Sequence, residues 1–358
     1  MSGNESCVHI PSRATQAQEE RQGGKRRIEP HTAWKLFPRV LEGALIQMNT
    51  NLRGKSLLSV ADLDTDGVEQ VLQTAVELKA LHRQNIPHAR LPGRILAMIF
   101  EKPSTRTRLS FEAGITQLGG AAIHLSSRDM QLGRGETIAD TARVLSRYVN
   151  VVMARTFAHQ TVLDLATWGT VPVINGLSDL EHPCQALGDL LTVHEKKGRL
   201  KGLKLAYVGD GNNVANSLML ACAHVGMHCA VGHPHGYAPD APIAEHAGEL
   251  GRATGARITV TTDPHEAVAG ADVVYTDVWT SMGQEGQEEE RRAKFGPFQV
   301  SDALMARANP EALFMHCLPA HRGEEVSASV MDGPQSVVFD EAENRLHIQK
   351  AIMTLLVP

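Results

Sequence analysis

Apolar positions along the chain switch repeatedly between two periods. In "VADLDTDGVEQVLQTAVELKALHRQ" the residues Val68, Leu72, Val76 and Leu78 follow Asp64 near helical spacing, which predicts a capped amphipathic helix. The run "RILAMIF" then reads as a buried strand, "STRTRLSFEAGITQLG" as a helix ending at Gly119–Gly120, and "AAIHLS" as the next strand. The same alternation continues through "ETIADTARVLSRY" (helix), "VNVVMART" (strand), "TVLDLATWG" (helix) and "VPVINGL" (strand).

A helix opening at Pro183, "HPCQALGDLLTVHEKKG", separates this series from a second one. Its expected strands are "LKLAYVGD", "MHCAVGHP", "RITVTTD", "DVVYTDVW", "LFMHCLP" and "SVVFDE", and "AENRLHIQKAIMTLLV" is a closing helix. Alternating strands and helices imply an α/β fold with parallel sheets. The expected architecture is two doubly wound domains joined by interdomain helices. Residues 48–182 form the first and 183–341 the second, and the helix 342–358 packs back onto the first. Residues 1–47 read as an extension: the first thirty are polar with mixed charge and predict a disordered tail, and a short helix fits "AWKLFPRVLEGALIQ". Globular patterning starts at Met48, a candidate natural start.

Composition narrows the function. The chain has 358 residues, enough for two domains, and 42% are hydrophobic. A net charge of −5 lacks the basic excess of a nucleic-acid binder. No apolar run reaches the length of a membrane span. Five cysteines, none in a CxxC pair, suggest a reducing compartment, so a cytoplasmic protein is expected. His233 and His235 in "GHPHGY" have no nearby Cys or carboxylate partners, and no metal site is expected there.

Chemistry concentrates where expected strands end and helices begin, the usual ligand edge of such sheets. "FEKPSTRTRLSFE" places Ser104, Thr105, Arg106 and Thr107 at a helix N-terminus. Free N–H groups, hydroxyls and a guanidinium make a phosphate cradle, although the same residues also suit a merely capped helix. Other strand ends or helix starts supply Arg155 in "VMARTF", His182 and Gln185 in "EHPCQ", His316 and Cys317 in "MHCLPAHRGEE", and Arg345 in "AENR". Several Arg, a His and an amide suit a phosphate joined to a carbonyl whose oxygen gains charge.

Together "FEKPSTRTRLSFE", "HPCQALGDLLT", "GDGNNVANS", "DVWTSMGQE" and "HCLPAHRGEEV" resemble, in order, the signatures of the ornithine branch of the carbamoyltransferase family. The resemblance runs from about residue 48 to the end. It implies transfer of the carbamoyl group of carbamoyl phosphate to the side-chain amine of L-ornithine, giving L-citrulline and phosphate, in arginine formation or breakdown. It assigns carbamoyl phosphate to Ser104, Thr105, Arg106, Thr107, Gln131, Arg155, His182, Gln185, Cys317, Leu318 and Arg345. Gln131 is the residue lent to a neighbouring subunit. Ornithine falls to Asn213, Asp277, Ser281 and Met282. Arg106, His182, Asp277 and Cys317 are the expected catalytic groups, with Cys317 and Asp277 candidates to help remove the amine proton. No cofactor is implied, and a homotrimer or a multiple of trimers is. Gly188 stands where the family more often has Ala.

Three rival readings are weaker. "YVGDGNNVANS" holds Gly209-x-Gly211 after a strand, but Val214 replaces the third small residue of a dinucleotide fingerprint. The next strand ends at His233 instead of the acid that binds a ribose hydroxyl. A cysteine hydrolase would need a base oriented beside its thiol, and no independent Cys–His signature is present. Within the family the close rivals use putrescine, N-acetylornithine or aspartate, and Asp277 with "SMG" favours an unmodified amino acid with a free α-ammonium. "EGQEEERR" reads as a solvated helix face.

Overall fold

The computed structural model describes residues 52–126, 135–280, 286 and 288–358. The expected tail, the short helix and Met48 lie outside them. The first half contains α1 (Thr65–Arg83), β1 (Ile95–Phe100), α2 (Thr105–Gln117), β2 (Ala121–Ser126), α3 (Ile138–Tyr148), β3 (Val151–Arg155), α4 (His159–Trp168) and β4 (Val173–Leu177). After α5 (Pro183–Lys197) come β5 (Lys204–Val208), α6 (Asn213–His224), β6 (His228–Gly232), α7 (Ala241–Thr254), β7 (Ile258–Thr261), β8 (Val273–Thr276), α8 (Glu288–Phe295), β9 (Leu313–His316) and α9 (Val338–Leu356).

The strands form two separate parallel sheets, in the orders β2-β1-β3-β4 and β7-β6-β5-β8-β9. Central strands β1, β3, β5 and β8 are buried along nearly their whole length, as expected when helices cover both faces. Edge strands β2 and β7 carry the exposed apolar residues Ile123 and Val260. Strand order reverses between β1 and β3 in the first sheet, and between β5 and β8 in the second. Such switch points leave a crevice at the carboxyl ends of the strands.

Two helices tie the halves together. The first eleven residues of α5, Pro183 to Val193, are all buried, as for a helix packed on every side. Helix α9 packs on α5, α1 and α2, so the chain's last helix does return to the first half. One apolar cluster consequently runs through Leu57, Val68, Leu187, Leu218 and Ile352.

The expected strand "SVVFDE" is not a strand. Ser336 makes one isolated bridge to Phe314, and the helix begins at Val338. The β-branched pair Val337–Val338 favours strand locally, but packing of α9 overrides that preference. Helix α9 therefore starts four residues earlier than the sequence suggests, and Glu341 lies on it.

Candidate active site

The cradle at the start of α2 is both capped and open to an anion. Ser104 is the N-cap, and its Oγ accepts the Thr107 N–H at 3.3 Å and donates to Thr107 Oγ1 at 3.0 Å. Thr105 and Arg106 open the helix just beyond β1. Arg155 ends β3, on the other side of the first switch point. Arg345, from α9, donates to Thr107 Oγ1 at 2.9 Å. Arg106 Nη2 donates to the Leu318 carbonyl at 2.5 Å.

Arg106, Arg155 and Arg345 have no acidic partner among the ion pairs of the described residues. Each keeps a buried Nε without a hydrogen-bond acceptor. Burial, then Arg345 and Arg106, pull the Arg155 guanidinium down to about 10. Burial also lowers Arg345. Buried like charges without counter-charges are costly, and a bound anion removes the cost.

His182 faces the same cluster. It is the N-cap of α5, but its side chain makes no capping bond; its backbone N–H donates to Ser217 Oγ at 2.8 Å. Burial, then Arg345, Arg155 and Arg106, hold the imidazole well below its ordinary value, so it is neutral at pH 7. Its Nδ1 has no partner. Gln185 spends its amide nitrogen on Asp189 and Glu341, both at 2.9 Å. That leaves Gln185 Oε1 as an unpartnered acceptor, suited to an –NH2 group.

The second switch point gathers a different set. Asn212 caps α6 through its Oδ1, while its Nδ2 donates to Asp277 Oδ2 at 2.8 Å. Asp277 Oδ1 accepts Val278 N–H at 2.8 Å and the Cys317 thiol at 3.0 Å. Burial, then Asp277, push that thiol well above its ordinary value, so Cys317 is a neutral donor. The two groups expected to help remove the amine proton, Cys317 and Asp277, are thus in direct contact. Asn213 donates to the Ser178 carbonyl at 2.6 Å. His316 Nδ1 accepts Leu318 N–H at 2.9 Å, and its Nε2 faces Glu325 at 3.2 Å. Leu318, at φ 59°, is thereby held in the left-handed region with its carbonyl available to Arg106.

The end of β3, the starts of α2 and α5 and the middle of α9 therefore bring Ser104, Thr105, Arg106, Thr107, Arg155, His182, Gln185 and Arg345 to one end of the crevice. Asn213, Asp277 and Cys317 lie at the other, and Leu318 joins them through Arg106. Gln131, Ser281 and Met282 lie outside the described residues. Sequence reading missed Asn212, Glu341 and Asp189. Asn212 was legible as an N-cap beside Asn213; the two acids have no local signature, since they meet only when α9 packs on α5. The expected solvated run also needs correction. Arg291 is buried against Tyr237 and Phe295 and paired with Asp210. The Gly209-x-Gly211 turn is shaped by its own chain, because a Cβ at Gly211 would lie 2.1 Å from Pro239 N.

Comparison with known proteins reaches both halves. Residues 55–195 match the family model for the carbamoyl-P binding domain of aspartate/ornithine carbamoyltransferase, and 201–356 match that for its Asp/Orn binding domain. An ornithine carbamoyltransferase of Anoxybacillus flavithermus is 59% identical over 305 residues, covering 85% of this chain and 97% of its own. The Bacillus subtilis ornithine carbamoyltransferase is 56% identical over 304 residues, covering 85% and 94%. The solved ornithine carbamoyltransferase from Pyrococcus furiosus superimposes with a TM-score of 0.84 at 54% identity, covering 86% of this chain and 98% of that one.

Proposed function

Because the chain belongs to the aspartate/ornithine carbamoyltransferase family, we propose that its two switch points act as one active site, each holding one of two substrates. The reaction is transfer of the carbamoyl group of carbamoyl phosphate to the side-chain amine of L-ornithine, giving L-citrulline and phosphate. The observation that carries the site assignment is the cluster of Arg106, Arg155 and Arg345, the last two buried, each with an unpartnered Nε and none in an ion pair, facing neutral His182.

In this reading Ser104, Thr105, Arg106, Thr107 and the arginines take the phosphate. Gln185 Oε1 accepts from the carbamoyl –NH2. His182 and Arg106 donate to the carbonyl oxygen as charge grows on it. Asp277 pairs with the ornithine α-ammonium, and Asn213 and the backbone at Ser281–Met282 hold the α-carboxylate. The free side-chain amine then reaches the carbamoyl carbon. A new C–N bond forms, the C–O bond to phosphate breaks, and the nitrogen gives up one proton. Asp277 and Cys317, 3.0 Å apart, are the candidates to help remove that proton. Holding both substrates in one crevice removes most of the entropic barrier.

Residues 48–182 thus form the carbamoyl-phosphate domain, 183–341 the ornithine domain, and the rest of α9 belongs with the first. Gln131 completes a neighbouring subunit's site in a homotrimer or a multiple of one, and light scattering reads that mass directly. Among the described residues no helix is long and apolar enough to cross a membrane. Among the described residues Cys184, Cys222, Cys229 and Cys317 are free thiols, which fits a reducing, cytoplasmic setting.

The test is a product-resolved assay with carbamoyl phosphate and ornithine, putrescine, N-acetylornithine or aspartate in turn. Citrulline from ornithine, with far weaker use of the others, is the expected result. No turnover of ornithine overturns the reading.

A further inference from the structure

Outside the substrate crevice, Arg291 is a buried cation engaged by a carboxylate, a carbonyl and two aromatic rings. It lies on α8 and is 3% exposed. Its Nη2 pairs with Asp210, and its Nε donates to the Trp279 carbonyl. The guanidinium carbon lies 4.8 Å from the Tyr237 ring centre and 5.0 Å from that of Phe295. These rings meet edge to face at 4.8 Å, and Trp279 lies against Phe295 at 6.1 Å.

The two groups that Arg291 grips belong to the two strand ends that frame the second switch point. Asp210 sits in the turn after β5, two residues before Asn212; Trp279 follows β8, two residues after Asp277. Within the crevice the same strand ends are bridged by the Asn212–Asp277 hydrogen bond. Arg291 is thus a second bridge across the same gap, made by one planar fork that binds a carboxylate and a carbonyl while stacking on two rings. A Lys cannot reproduce that geometry.

We propose that Arg291 is a positioning residue for the amino-acid substrate: it fixes the spacing of the β5 and β8 ends, so that Asn213 and Asp277 meet the two α-substituents of ornithine. The proposal rests on the carbamoyl-transfer reading. Arg291 touches no substrate. Its effect is confined to the ornithine half, because among the described residues Asp210 and Trp279 make no hydrogen bond to Ser104–Thr107, Arg155 or Arg345. Loss of either partner leaves the other charge buried and unpaired, which loosens both strand ends.

The experiment compares full-length wild type with Arg291→Met, Arg291→Lys, Asp210→Asn and the Met/Asn double variant. Each substrate is titrated at saturating levels of the other. In Arg291→Met the ornithine KM should rise about tenfold or more. The carbamoyl-phosphate KM should stay within about twofold, as for a distant independent site. Arg291→Lys should fall between, and the double variant should be no worse than Arg291→Met alone. An unchanged ornithine KM, or an equal rise in both KM values, overturns the proposal in favour of a purely structural ion pair. Should Arg291→Met fail to fold, Asp210→Asn is read by the same two KM values. Wild-type enzyme that makes no citrulline strikes at the functional reading instead, before any variant is compared.

Discussion

The two ends of the crevice are built on opposite electrostatic terms. At the first switch point three arginines, two of them buried, stand outside any ion pair, and five polar atoms of Arg106, Arg155, His182, Gln185 and Arg345 lack partners. At the second, Asp277 is already bonded by Asn212, Val278 and Cys317, while Arg291 is paired with Asp210. One end is complete only with a ligand; the other is internally satisfied. The contrast suits the substrates. A phosphate must be neutralised by groups that nothing else occupies, whereas an amino acid is recognised by geometry, which needs groups held in advance.

The sharpest way to break the contrast is to remove a cation from the unsatisfied end. Arg106→Ala should lower kcat/KM for carbamoyl phosphate by about a hundredfold to a thousandfold, comparable to losing an oxyanion donor. Steady-state kinetics decide it; near-normal values would sink the phosphate assignment.

A smaller effect comes from ornithine itself. An alkylamine titrates near 10 by analogy with Lys, and only its neutral form attacks. With chemistry rate-limiting, the rate at subsaturating ornithine should climb up to about tenfold per pH unit between roughly 6.5 and 8.5. A flat profile would mean that the enzyme gathers the neutral amine by other means.

Between the two ends lies the buried carboxyl pair Asp189 and Glu341, bonded to each other and to Gln185. Burial lifts Asp189 from 3.8 to about 7. A raised carboxyl pKa means that the native state holds the proton longer than the unfolded one. Its contribution is full below about pH 4 and is lost as pH rises through about 7. Asp189→Asn cannot ionise, so its melting temperature should gain on the wild type between pH 5 and pH 8. Parallel melting curves across that range would remove Asp189 as the titrating group.

The smallest change is Gly188→Ala. An added Cβ would meet Arg345 Cγ at 3.4 Å, an ordinary contact. Chemical denaturation should show a gain of about 0.5–1 kcal/mol from helix propensity, with kinetics unchanged. A loss of stability would mean that Arg345 cannot give way.

Much of the fold was legible because central strands are continuous apolar runs and helices carry a clear period. "SVVFDE" failed since Val337 and Val338 look alike in either setting, and only the packing of α9 decides between them. The site was legible where residue type alone carries the chemistry, as at Ser104–Thr107 and Arg155. It was hidden where a role depends on a distant partner. Gln185 reads as a simple amide, yet Asp189 and Glu341 determine which of its atoms faces the crevice. Arg291 reads as one charge in a solvated run, although Asp210 and two rings enclose it.

Arg345 reaches Thr107 across 238 positions of sequence. On the ribosome, the residues of "STRTR" therefore emerge long before the arginine that completes their cradle. A nascent chain lacking α9 has a charged helix start without its third guanidinium and an uncovered apolar surface on α1, α2 and α5. Docking of α9 thus does two things at once: it brings the third guanidinium to the cradle and covers the apolar faces of α1, α2 and α5.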